Sequence, residues 1–320
     1  MAVANLARAG VIITLMAVSM PSHSTEIEAL RVGLEAGVRR DNFDWNIAGN
    51  LEGGDDGENP DVPNVLSELT WRSLDIIETK IHGTYTIDRL FFTGNVHFGR
   101  IYDGSNQDSD YSLDNRAGEF SRSNNGTDGG VFGVSLGGGV RLTLRDLSSG
   151  QSELAIIPAV GFSYFAQELN IKDGYQTIPA RYAGPFSDLA SEYNAQWRTP
   201  WAGIQLEVTD QFARTFEIGV TLYRNAHYDA DANWNLIDDF AHPVSFRHHA
   251  HGEGYGWNAG LRLPLDRDWN FTVRLEGRLL ETDPGLDVTY LADGTSDSTQ
   301  LNEVNWRMIA LRIGVEGRNR

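Results

Sequence analysis

Apolar side chains recur at every second position in stretch after stretch of this chain. Leu30, Val32, Leu34, Ala36 and Val38 alternate with Arg31, Gly33, Glu35, Gly37 and Arg39. The same period of two runs through Leu90–Phe98, Val134–Leu142, Phe216–Leu222, Tyr255–Leu263, Trp269–Leu275 and Ile309–Val315, and more weakly near 67–81, 154–167 and 196–209. A period of two means a strand with one apolar and one polar face. The pattern predicts ten strands. A soluble sandwich would alternate as well, so the connections decide. About 82–88, 146–152, 209–213 and 264–268 are short; 41–66, 103–130, 168–195, 229–243 and 282–300 are long and polar. Short and long alternate strictly. That is the order of an outer-membrane barrel, with tight periplasmic turns and long outer loops. The fold class expected is therefore all-β, a closed antiparallel up-and-down transmembrane barrel. Closure satisfies every backbone donor and acceptor in lipid.

The polar face carries charge. Arg31, Glu35, Arg39, Arg141, Glu217, Arg274, Glu276, Arg278, Arg312 and Glu316 all fall on inward positions. Ten strands make a lumen that side chains can fill, so an ion-pair network plugging it is expected, and a wide general porin is not. Trp71, Tyr102, Tyr164, Trp201, Trp269 and Trp306 lie near strand ends and fit interfacial girdles.

Composition sharpens this. The chain has 320 residues, 26 Lys+Arg against 44 Asp+Glu, and a formal net charge of −18. A nucleic-acid partner is excluded, because no basic footprint exists to displace counterions. With no Cys, disulfides, thiol catalysis and Cys-based zinc sites are excluded too. Residues 1–24 read as an export signal: Arg8, the apolar run Val11–Met20, then Ser22-His23-Ser24. The run is too short for a spanning helix, which needs about 20 residues. Residues 25–320 then form a single barrel domain in the outer membrane, surrounded by lipid and lipopolysaccharide. No cofactor or metal requirement is expected.

Ten strands, five long outer loops and segments such as Ile77–Gly94 (IETKIHGTYTIDRLFFTG), Asp108-Ser109-Asp110-Tyr111 and Phe216–Thr221 (FEIGVT) resemble the omptin family of outer-membrane endopeptidases. A closer resemblance is to the poorly characterised Protochlamydia-type outer membrane proteins. It rests on DGSNQDSDY (103–111), DGYQTIP (173–179), DANWNLIDDFAHPVSF (231–246) and LNEVNW (301–306). The omptin resemblance implies peptide substrates and a water held between two acidic groups and an Asp–His pair. It maps the acidic pair onto Asp108 and Asp110. It maps the imidazole onto His227, with Asn225 where an omptin carries Asp. Asn cannot stabilise an imidazolium electrostatically; the same exchange in a serine-protease triad lowers turnover about 10⁴-fold. An ungapped comparison through FEIGVT instead puts Trp234 and Leu236 at the Asp and His positions, and Asp239 with His242 is a further combination.

The residues themselves leave alternatives open. Two carboxylates two apart on an extended segment point the same way, and crowding raises the pKa of one of them. Such a pair suits acid/base work, but also a solvated acidic loop, or a cation site with Asn106 and Asp103. Along strand 216–228 the inward parity runs Glu217, Gly219, Thr221, Tyr223, Asn225, His227, which aims His227 into the lumen. His248, His249 and His251, near Glu253, could hold a divalent metal or form a polar loop shoulder. The two functional classes are thus an omptin-like endopeptidase and a non-enzymatic barrel: narrow channel, adhesin or structural element.

Overall fold

The computed structural model describes residues 27–54, 62–145 and 152–319. The export signal and most of the 146–152 turn lie outside them. Ten antiparallel strands close into a ring: β1 (Ile27–Ile47), β2 (Ser67–Ile87), β3 (Leu90–Leu113), β4 (Ala117–Val140), β6 (Glu153–Ile178), β8 (Ser191–Thr209), β9 (Thr215–Asn233), β10 (Phe246–Pro264), β11 (Trp269–Thr282) and β13 (Ser296–Asn319). Each pairs with the next, and β1 closes on β13 from Leu30↔Asn319 to Ile47↔Leu301. Short strands β5 (Leu142–Arg145) and β7 (Gly184–Pro185) add to β6, and β12 (Gly285–Tyr290) bridges β10 and β13. The ten-strand all-β barrel read from the alternation is the fold observed.

The outer wall carries the apolar set. Val32, Leu34 and Val38 of β1, Ile218 and Val220 of β9, and Leu311 and Ile313 of β13 are all exposed. Tyr102 and Trp269 also face outwards, as the girdle reading has it. Trp71 and Trp306 do not: both are fully buried inside the ring. Trp201 lines a lumen cavity. They fill the barrel rather than rim it.

Inside, the barrel is stacked in storeys. The lower storey is ionic. Arg39 reaches Asp41 at 2.6 Å and Glu78 at 2.8 Å; Arg312 reaches Glu78 at 2.6 Å. Lys80 meets Glu276 at 2.8 Å, and Arg274 bridges Glu217 (2.8 Å) and Glu35 (3.2 Å). Small polar cavities of about 140 and 160 Å³ lie among these groups. Each of the inward charges read from the sequence takes part in an ion pair. Above them lies an aromatic storey: Phe43, Trp71 and Tyr193 contact one another at 5.4–5.9 Å between ring centroids, and Trp306 meets Phe165 at 5.5 Å. The Trp306 indole donates to Asp41 at 2.8 Å, tying the two storeys together.

Residues 103–130 are not the loop expected from their sequence. Apart from the turn at 114–116 they continue β3 and β4 outwards, and the other outer segments do the same in part. Above the apolar belt the outward face turns polar, so the alternation fades while the backbone ladder continues.

Candidate functional site

The outer mouth is shaped by two bulges that reverse strand parity. In β3, Ile101 points inwards and is fully buried. The register then shifts between Ile101 and Ser105. Gly104 takes a φ of +154° there, where a Cβ would strike Leu74 at 2.8 Å. A bulge inserts an unpaired residue and re-aims the side chains beyond it. Asn106, Asp108 and Asp110 therefore face inwards. Asn106 is locked by the Asn125 amide at 2.8 Å. Asp110 lies opposite Ser67 on β2 and Ser121 on β4, and Asp108 opposite Leu69 and Ser123.

Asp108 and Asp110 line one cleft of about 460 Å³, walled by Trp45, Leu69, Phe120, Trp234, Phe246 and Leu291, with Asp287 also on its surface. Burial, reinforced by the Asp110 charge, pushes the Asp108 carboxyl up to about 8, against a lowering contribution from Trp234. Burial raises Asp110 too, and the Ser67 and Ser121 hydroxyls oppose that rise. Burial and the neighbouring Asp110 charge keep the Asp108 carboxyl protonated at neutral pH. Among the described residues no Arg, Lys or His lies within ion-pair distance of either carboxylate.

The second bulge turns His227 away from them. In β9 Asn225 adopts a φ of +51°, and the pairing with β8 slips between Arg198 and Trp201 and that with β10 between Gly252 and Gly254. Tyr223 is inward and buried; after the slip the buried positions are Ala226 and Tyr228. Asn225 is exposed and His227 sits on the outer wall. This corrects the inward parity expected for Asn225 and His227, and the cause is the extra residue. His227 Nε2 lies 3.2 Å from Asp229 Oδ2, which also takes Arg198 at 2.9 Å, while His249 Nδ1 meets Asp229 Oδ1 at 2.6 Å. His251 packs its ring 5.0 Å from that of His227. These side chains form an external cluster. His242 contacts Asn233 at 2.7 Å, not Asp239.

His248 is the imidazole that enters the mouth. It is fully buried against Trp45, ring centroids 4.7 Å apart. Its Nδ1 is 2.8 Å from the Tyr193 hydroxyl, which is 2.5 Å from that of Tyr228. Its Nε2 is 3.2 Å from Asp287 Oδ1 but makes no hydrogen bond. Asp287 also receives the Thr289 and Thr299 hydroxyls at 3.3 and 3.2 Å. The carboxylate faces the cleft and the imidazole lies behind it. Sequence reasoning missed Asp287, Tyr193 and Tyr228. No motif marks them, because three separate strands bring them together.

A family model described as Protochlamydia outer membrane protein matches residues 33–317. No curated protein matches the chain in sequence. Among solved structures, the outer membrane protease OmpT from Escherichia coli is similar over 94% of this chain and 99% of its own, at 12% identity and a TM-score of 0.68. That likeness is one of fold. A Pseudomonas aeruginosa FadL homologue aligns over 91% of this chain and 90% of its own, at 8% identity and a TM-score of 0.25.

Proposed function

The chain belongs to the Protochlamydia outer membrane protein family, and from that premise we propose that it is a closed, non-proteolytic surface barrel whose outer mouth is a recognition cleft. In this reading residues 1–24 are removed on export. The apolar belt sits among outer-membrane lipid and lipopolysaccharide, and the cleft faces the exterior.

The observation that carries the proposal is the inverted order at the mouth. Omptin-type hydrolysis needs an imidazole within reach of the water that the acidic pair holds. Here Asp287 stands at the cleft and His248 behind it, while His227 belongs to the outer wall. Trp234, one of the positions assigned by the ungapped comparison, lines the cleft beside Asp108 and carries no base. The channel reading is disfavoured by the filled lumen: the Arg39–Glu78–Arg312 layer and the aromatic storey lie one above the other.

The test uses the full-length mature protein refolded into lipid vesicles. A mixed peptide library should be left intact between pH 5 and 9, and Asp108→Ala and His227→Ala should match the parent. Cleavage that Asp108→Ala abolishes would overturn the proposal. In planar bilayers no unitary current is expected; a reproducible one would reopen the channel reading.

A further inference from the structure

We propose that the outer-mouth cleft binds a small apolar molecule bearing one positive charge, an arylalkyl ammonium for example, with its cation on Asp108 and Asp110 and its body against Trp45, Trp234 and Phe246. The inference rests on the recognition-cleft reading and names its ligand class.

Charge complementarity points to a cation. Elsewhere in the barrel buried carboxylates are matched. Glu78 has Arg39 and Arg312, Glu35 has Arg274, and Glu207 has Arg141 and Arg262. Asp108 and Asp110 have hydroxyl neighbours but no cation among the described residues, so the chain leaves the countercharge to be supplied. An unpaired carboxylate out of water is costly, and a bound cation removes that cost.

The walls point to an apolar body. Roughly 460 Å³ falls in the size range of small-molecule sites, which are mostly apolar with a few placed polar groups. Indole and phenyl faces attract cations through the ring quadrupole, Trp best. An inorganic cation does not suit the same surface: among the described residues no group of three His, Cys, Asp or Glu is arranged to hold a metal ion.

The cleft wall also holds an unused polar atom. Trp45 is 3% exposed and lines the cleft, yet among the described residues its Nε1–H has no hydrogen-bond partner. Buried polar atoms are nearly always satisfied.

Binding should depend on pH. The groups facing the pair are Glu119 on β4, Asp287 on β12 and Asp297 on β13; Glu119 is held by Arg122 at 2.7 Å and Asp287 lies by His248. Burial and the Asp110 charge hold the proton on Asp108, and Glu119 adds to the rise at Asp110. A cation favours the ionised pair and displaces that proton. Affinity therefore rises with pH and levels off above about 8.

The probe is benzyltrimethylammonium, whose charge does not titrate, followed by tryptophan fluorescence and calorimetry on the refolded barrel. Saturable binding is expected, tightening by up to about tenfold per pH unit between pH 6 and 8. Neutral benzyl alcohol should bind at least tenfold more weakly. Asp108→Asn and Asp110→Asn should lose the pH dependence and about tenfold in affinity while keeping the parent's heat-modifiable electrophoretic mobility as a check of folding. Trp234→Ala should weaken binding at every pH. Equal affinity for the alcohol, an unchanged Asp108→Asn variant, or no saturation would overturn the ligand class. So would binding of basic peptides without binding of the probe. Each of these leaves the peptide-cleavage and conductance results untouched, so failure here is distinguishable from failure of the recognition-cleft reading.

Discussion

Asp108 shows how a single position sets the behaviour of the mouth. Its folded carboxyl titrates near 8, against about 3.9 for an aspartate in an unfolded chain. Between those values the folded chain holds more proton than the unfolded one, so stability falls as pH rises across the window. Asn stays neutral throughout. Asp108→Asn should match the parent near pH 4 and exceed it by a growing margin up to pH 8, then by a constant one. The slope of the difference is at most about 1.4 kcal/mol per pH unit for one proton, and urea unfolding in detergent at pH 4, 6 and 9 reads it. His227→Ala, on the outer wall, should shift unfolding by no more than about 0.5 kcal/mol and leave the cleft unchanged. The contrast explains what was legible. The shared orientation of Asp108 and Asp110 needs only a straight segment between them, and they have one. The orientation of His227 needed parity to survive from Glu217, and the positive φ at Asn225 breaks it. Asn tolerates that backbone region better than most residues, so Asn225 was a faint signal of a bulge.

Strands were read where their two faces meet different solvents. Along β1, β9 and β13 the outward side chains are mostly aliphatic and the inward ones mostly charged, polar or glycine, and the period of two is plain. Past the belt, β3 and β4 carry serine, asparagine and aspartate on both faces, and the same extended backbone looks like loop. Packing across strands was not legible at all. Trp201 turns into the lumen because Gly137 and Gly161, paired opposite one another on β4 and β6, leave room for its indole. A Cβ on Gly137 would stand 2.4 Å from the ring, and one on Gly161 2.3 Å. Gly137→Ala should therefore cost about 1–3 kcal/mol, the usual range for overpacking. Most of that loss should vanish in the background of Trp201→Ala. A double-mutant cycle by urea unfolding separates this contact from any intrinsic effect of alanine in the strand.

For the whole molecule, the storeys make closure redundant. The ionic layer depends on mutual pairing: removing one partner of a buried pair leaves the other charge uncompensated and costs about 3–5 kcal/mol. Glu78 is bound by Arg39 at 2.8 Å and Arg312 at 2.6 Å, but Arg39 keeps Asp41 and Arg312 keeps Glu276, so Glu78→Gln removes a shared countercharge without leaving either guanidinium unpaired and should cost less, about 1–3 kcal/mol by equilibrium unfolding. It should not open a pore. Above the gap, Phe43, Trp71, Tyr193 and Trp306 remain packed, and Arg278 still lies over the Phe165 ring at 3.9 Å. A barrel evolved to conduct would lose or gain current when its charged layer is cut; one that uses the layer to support a cleft should lose only stability. Single-channel recording of Glu78→Gln distinguishes the two. A silent bilayer from a measurably weakened barrel is the expected outcome, and a current that appears with the substitution would mean that the ionic layer, rather than the aromatic one, is the seal.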